Sequence, residues 1–263
     1  MKKLTVFLCL LPLAASAFDN ARFEGKIAID SRVISEMNKF SNDGQKLPSE
    51  YLSQFSRQMK SRIIQDKRNF LARIEGKPCQ PSSVVTFIKS GGAIGKTSFG
   101  AAEQDAVDAF ENGIIKIEAV GCLNGLVAAE AMTEARKPSF QLSVVSELKS
   151  SVIQGPLTCE RTSVPMLGSS QYCYTSIAGN TSNESYLFTQ NVTNAPLAQA
   201  DAPVFFRSIY MSFHEQGNQT YSHSIAYVRG AAVPGLVRGM AKSKIQATQT
   251  RSFTKMGQIV KAQ

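Results

Sequence analysis

The side chains best suited to chemistry are few. The chain has two histidines, His214 and His223, on one stretch that also carries Ser208 and Ser212. A serine hydrolase needs a histidine close to an activated serine and an acid to orient the ring. No Gly-x-Ser-x-Gly turn is present to expose such a serine. Paired carboxylates for glycoside cleavage remain open at the level of sequence, although a chain without tryptophan lacks the usual sugar platforms. The run Gly91-Gly92-Ala93-Ile94-Gly95-Lys96-Thr97 approaches a phosphate loop, but Ser90 stands where the motif requires its first glycine. It reads as a glycine-rich strand connection. No Cys-x-x-Cys pair exists, and with two histidines a zinc site is not expected. No cofactor motif, metal set or nucleic-acid partner is indicated, and the balance is against an enzyme.

The start of the chain bears on the cysteines. Lys2 and Lys3 precede an apolar run, Leu4 to Leu13, and Ala15-Ser16-Ala17 offers a cleavage site. Together these read as a secretory leader over residues 1–17, because the run falls short of the roughly 20 apolar residues that span a bilayer. A periplasmic or secreted protein beginning at Phe18 is expected. The short lysine-led leader looks bacterial, so the Asn-x-Ser/Thr patterns at Asn180, Asn183, Asn191 and Asn218 are read as chance. Cys79, Cys122, Cys159 and Cys173 then remain, an even number in an oxidising compartment. Cys159 with Cys173 is the preferred pair, since the two flank a strand reversal at Pro165 to Gly168. Cys79 with Cys122 follows by elimination, and buried free thiols are the alternative.

The chain carries a formal net charge of +9, unevenly spread. From Arg229 to the end the basic residues are Arg229, Arg238, Lys242, Lys244, Arg251, Lys255 and Lys261, and no acidic residue accompanies them. Such a segment suits an anionic membrane or other polyanion through Arg238, Lys242, Lys244, Arg251 and Lys255. A solvated helix face is the plainer meaning.

Elements must position these groups. After an extension over 18–48, Ser49 is an N-cap candidate, and Leu52, Phe55, Met59, Ile63, Phe70 and Ile74 recur at helical steps. Arg57, Lys60, Arg62, Lys67, Arg68 and Arg73 are placed on the polar surface of that helix. Strands are predicted over 84–88 and 114–121, a helical insert over 126–136, and further strands over 142–153, 157–164, 172–177 and 186–192. Val204 to Phe213 and Ser222 to Arg229 form a hairpin around Gly217-Asn218, which sets Ser212 opposite His223, Tyr210 opposite Ile225 and Ser208 opposite Tyr227. One face then carries Phe206, Tyr210, His223, Ile225 and Tyr227. Val233-Pro234-Gly235 breaks the chain before a long last helix, with the hairpin sheet as its expected partner. The order predicts an α+β domain: a curved antiparallel sheet wrapped round a long C-terminal helix, with an N-terminal amphipathic helix.

Over roughly Ser49 to Val260 the chain resembles the START family, the helix-grip lipid-transfer domains related to Bet v1. Gly113 to Gly121 running into the insert helix, Ser222 to Arg229, and Val233-Pro234-Gly235-Leu236-Val237 carry the resemblance. Pro138-Ser139-Phe140 and Ser170-Gln171-Tyr172 stand where the family has a tryptophan and an Arg-Asp-Phe. The resemblance implies a START-like domain over 49–263 that binds a lipid or other hydrophobic small molecule between sheet and last helix. Phe206, Tyr210, Ile225 and Tyr227 would line the pocket, His223 would meet a polar head, and Val237 and Met240 would close it. The other readings are a cavity-less envelope interaction module and, third, a secreted hydrolase.

Overall fold

The computed structural model describes residues 47–125, 128–135, 137, 148–154, 157–164, 168–180, 184–192, 204–230 and 233–261. The expected leader and nearly all of the 18–48 extension lie outside them. Within them the order is α1 (Ser49–Ile74), β1 (Ser82–Phe87), α2 (Ala101–Glu111), β2 (Ile114–Asn124), α3 (Ala128–Ala135), β3 (Leu148–Gln154), β4 (Leu157–Val164), β5 (Gly168–Asn180), β6 (Glu184–Val192), β7 (Val204–Gln216), β8 (Gln219–Gly230), a 3₁₀ turn (Gly235–Val237) and α4 (Arg238–Lys261). The strands form one eight-stranded sheet in the order β1-β2-β8-β7-β6-β5-β4-β3, with every pair antiparallel. This is the expected α+β fold.

The β7–β8 hairpin has the expected register. Gln216 pairs with Gln219, Ser212 with His223, Tyr210 with Ile225 and Ser208 with Tyr227. Gly217 takes φ 59°, the left-handed value that a tight turn of this kind needs and that glycine adopts without strain. The β4–β5 register likewise sets Cys159 opposite Cys173. Their side chains, and that of Phe206, lie outside the described residues.

Side chains alternate along a strand, so each face of the sheet collects its own set. On the first face α1 packs Tyr51, Leu52, Phe55, Met59 and Ile63 against Tyr186, Phe188, Tyr210, Ile225 and Tyr227, with Val107 and Phe110 of α2 at the side. Farther along the helix, Phe70 and Ile74 pack on Tyr221. Ser49 is already helical and Pro48 holds the cap position. The expectation of a Ser49 cap is thereby corrected: Pro48, with φ −58° and ψ 138°, already supplies the extended backbone from which a helix starts.

On the opposite face α4 packs on β1 and β2, and α3 packs on β6 and β7. Ala119, Leu123 and Phe213 meet Ala131 and Met132 of α3 and Phe253 and Met256 of α4 there. The approach is close. A Cβ on Gly121 would lie 2.7 Å from Phe253 Cδ1, and one on Gly257 would lie 3.1 Å from the Cys122 carbonyl oxygen. Midway along α4, Gln246 Nε2 donates to the Ser83 carbonyl and Ser83 Oγ donates to the Gln246 carbonyl, both at 3.0 Å. A disulfide joins Cys79, just after α1, to Cys122 on β2.

Candidate functional site

The residues expected to line a pocket under the last helix do not face that helix. Tyr210, His223 and Ile225 are fully buried and Tyr227 is 1% exposed, all beneath α1. This corrects the sequence reading, and the cause is physical. Strand register fixes which residues share a face, but not which helix covers it. The large aromatic wall is matched by the large side chains of α1, whereas α4 meets the sheet through small residues and a few larger ones. Val237 and Met240 close nothing over this wall: they are 39% and 60% exposed at the opposite face's end of the chain.

Polar groups beneath α1 are bound to one another. Tyr210 OH donates to Glu184 Oε1 at 2.6 Å, and Lys67 Nζ lies 2.9 Å from Glu184 Oε2. Tyr227 OH donates to Asp66 Oδ2 at 2.7 Å, and Lys116 Nζ lies 2.7 Å from Asp66 Oδ1 and 3.5 Å from Glu118 Oε2. Arg73 pairs with Glu118 from the end of α1. Burial, followed by the nearby carboxylate, pushes the Tyr210 and Tyr227 hydroxyls up. They are donors at every physiological pH.

His223, Ser212 and Glu118 share this face, which among the described residues is the nearest approach to a hydrolase constellation. His223 Nε2 is 3.9 Å from Glu118 Oε1, beyond hydrogen-bond reach. Neither ring nitrogen of His223 nor Ser212 Oγ has a hydrogen-bond partner. Phe70 stacks on the imidazole with ring centroids 3.5 Å apart, which seals it from solvent. In this arrangement His223 does not activate Ser212, and the Phe70 ring covers the imidazole.

Burial alone would raise the Glu118 pKa, but the imidazole and the Arg73 guanidinium beside it hold it at about 2. Burial pushes His223 below its ordinary 6.5, against the pull of Glu118. Both shifts favour the folded state at neutral pH. As pH falls below 6.5 the unfolded chain takes up a proton at His223 that the folded chain resists. Below 4.5 the same holds for Glu118, down to about 2. Urea midpoints measured stepwise between these limits should fall with pH, and Glu118→Gln should flatten the more acid part of the curve.

The glycine-rich run closes around a carboxylate of its own chain. Gly91 and Gly95 take φ 69° and 85°, and the amides of Ala93, Gly91 and Ile94 favour the charge of Glu111, whose pKa burial raises. Glu111 is fully buried and accepts a hydrogen bond from Tyr51 OH at 3.3 Å. The near-match to a phosphate loop is thus an internal anchor.

The opposite face has a different character. Strand β8, between the strands that carry α4 and α3, presents Ser222, Ser224 and Ala226 there. Their neighbours are Ala119 and Ile117 on β2 and Met211 and Ile209 on β7. Ile115, Ile117, Val228, Ile209, Met211 and Leu187 are only half-buried, although they occupy the middle of an eight-stranded sheet. Small side chains on the central strand and partly covered larger ones on its flanks, two of them (Leu187 and Met211) packed against the neighbouring core, leave an apolar strip, termed the trough. At one end, where Phe87 pairs with Ile115, the Arg238 guanidinium sits 5.6 Å from the Phe87 ring centroid. The chain there exposes Leu236 fully, with Val237 and Met240 beside it. Sequence reasoning missed the trough. Its only sign was the run of small residues at Ala119, Gly121, Ser222, Ser224 and Ala226.

Several solved structures are similar to this chain. A STAR-related lipid transfer protein from Xanthomonas axonopodis aligns over 57% of this chain and 94% of its own, at 10% identity and a TM-score of 0.46. Human StAR-related lipid transfer protein 5 covers 75% of this chain and 93% of its own, at 10% identity and a TM-score of 0.46. A START superfamily protein from Mycobacterium smegmatis covers 56% and 97%, at 13% identity and a TM-score of 0.42. No protein-family model and no curated protein matches the chain. At these identities and scores the likeness gives no residue of this chain a role.

Proposed function

We propose that the protein is an exported carrier of a hydrophobic small molecule, a lipid by preference, held in the trough over β2, β8 and β7. The observation that carries this reading is the half-buried state of Ile115, Ile117, Val228, Ile209, Met211 and Leu187. Single exposed apolar residues are ordinary on any surface. A contiguous set of partly covered apolar side chains across the middle of a sheet supports a binding surface there, and a mostly apolar site with few polar groups is what a small hydrophobic ligand requires. Ser224 and Ser222 are the polar groups at hand.

The start of α4 supplies a means of approach to a lipid surface. Leu236, Val237 and Met240 are exposed next to Arg238 and Lys242, both exposed, in a segment without acidic residues. Apolar side chains to insert and cations to meet anionic headgroups are the two signals that interfacial docking needs. No helix among the described residues is long and apolar enough to cross a membrane, so this contact is peripheral.

The test is titration of the purified protein with the uncharged dye N-phenyl-1-naphthylamine, with co-sedimentation on phosphatidylglycerol vesicles. Met211→Glu should weaken dye binding by at least about tenfold, since it buries a carboxylate in an apolar site. Arg238→Ala with Lys242→Ala should lower vesicle binding by roughly thirtyfold, at about 1 kcal/mol for each cation. Dye binding that Met211→Glu leaves unchanged in a folded protein would overturn the trough assignment. Vesicle binding without dye binding would favour the interaction module.

A further inference from the structure

On the face of the sheet away from the trough, a cleft of about 390 Å³ opens between the end of α1 and the β1–β2 edge. Its size lies within the range of small-molecule sites. Phe70 and Ile74 from the helix and Val84 and Val120 from the strands make the apolar part of its walls, with Gln80 and Ser82 as uncharged polar groups beside them. Val84 is 52% exposed, a large apolar side chain on an edge strand whose same-face neighbours are Ser82 and Thr86. The walls are also held in place. The Cys79–Cys122 disulfide ties the segment after α1 to β2, and Tyr221 OH donates to the Lys77 carbonyl across the cleft's end. A pre-shaped site loses little conformational freedom when it binds.

The charges of the cleft are unbalanced. Glu118 lies in its wall, but that carboxylate is already met by Arg73 and by Lys116. Lys116 is itself shared with Asp66, so these four groups balance. Lys77, which is exposed, is then a surplus cation at the rim. Arg73 adds hydrogen-bond donors rather than net charge, since its side chain is 56% exposed and a guanidinium offers more donors than one carboxylate consumes. The net charge of the whole chain, +9, favours the same sign of ligand.

We propose that this cleft binds a small amphiphilic anion, an apolar body bearing one carboxylate, sulfonate or phosphate group. The body lies against Val84, Val120 and Phe70, and the acidic group meets Lys77 and the free edge of Arg73. This site is separate from the trough in place and in chemistry, because the trough asks for an uncharged or deeply apolar body and the cleft for an acidic head.

Two dyes separate the sites: 8-anilinonaphthalene-1-sulfonate, which carries the acid, and N-phenyl-1-naphthylamine, which has a similar body without it. Each is titrated into the wild-type protein and into Lys77→Glu, Val84→Trp and Met211→Glu. Lys77 and Val84 are exposed, so the first two substitutions leave the fold intact, which circular dichroism checks. Lys77→Glu and Val84→Trp should each weaken the strongest sulfonate binding by about tenfold and leave the neutral dye unaffected. Met211→Glu should spare that sulfonate site. Raised salt should weaken the sulfonate but not the neutral dye. Sulfonate binding that neither cleft substitution changes would overturn the cleft and leave the trough standing, and so would a wild-type protein that does not bind the sulfonate. Loss of sulfonate binding on Met211→Glu alone would place the anion in the trough and overturn the cleft as well.

Discussion

Replacing Lys67 by methionine is expected to lower the unfolding free energy by about 3 kcal/mol, toward the lower end of the range for breaking a buried ion pair. Lys67 and Glu184 are 2.9 Å apart, with side chains only 11% and 7% exposed. The ammonium also lies 5.5 Å from the Tyr210 ring centroid, over the residue whose hydroxyl binds the same carboxylate. Methionine fills nearly the same space but takes away the cation that faces this buried carboxylate. The lower end of the range is appropriate because both side chains keep some contact with solvent. Glu184→Gln in the same background removes the charge that Lys67 balanced and keeps an acceptor for Tyr210, so the double variant should recover most of the loss. Urea unfolding of the wild type and the two variants measures this directly. A single variant as stable as the wild type would mean that α1 is not held to β6 and β7 through this pair.

Lys67 also shows what the sequence could and could not reveal. Leu52, Phe55, Met59, Ile63, Phe70 and Ile74 were readable as a buried stripe because a helix repeats every 3.6 residues. Lys67 was assigned to the polar surface because its type says so, yet it is 9% exposed. Its partner Glu184 comes from β6, and no local pattern announces a pairing across the chain. The β7–β8 register was legible because a two-residue turn at Gly217-Asn218 dictates the partners that follow, as far as the irregularity between Phe206 and Val204. The face beneath the last helix was not, since alternation sorts residues into two sets without saying which set meets which helix. Tyr210 and Tyr227 therefore pointed to a wall and not to its cover. The trough escaped notice for the opposite reason. Ala119, Gly121, Ser224 and Ala226 matter by being small, and a sequence read for chemistry looks at large and charged residues. Glu111 was singled out by no pattern, although the glycine-rich loop that folds over it was conspicuous.

Cys79→Ala with Cys122→Ala should cost about 4 kcal/mol in the chain-entropy account of cross-links, the larger of the two stability effects. The two cysteines are 43 residues apart, so the bond closes a loop that spans β1, α2 and most of β2. Without it the unfolded chain gains the freedom that the cross-link denies it, while the folded state keeps the pairing of β1 with β2 and the packing of α1. The native consequences are local and lie where the bond acts. Cys79 follows Gly76 and Pro78, which end α1, and Cys122 sits on the strand that Gly257 of α4 approaches through the Cys122 carbonyl. The bond thus joins the end of the helix on one face to the strand that carries the helix on the other. Urea unfolding of the double variant measures the cost. Sulfonate titration of the same variant reads the second effect, because one end of the cleft is formed by Lys77 and Pro78, next to Cys79. Weaker sulfonate binding with unchanged neutral-dye binding is the expected pair of results. Loss of both ligands together would mean instead that the bond holds the two faces as one unit, with the trough depending on it as much as the cleft does.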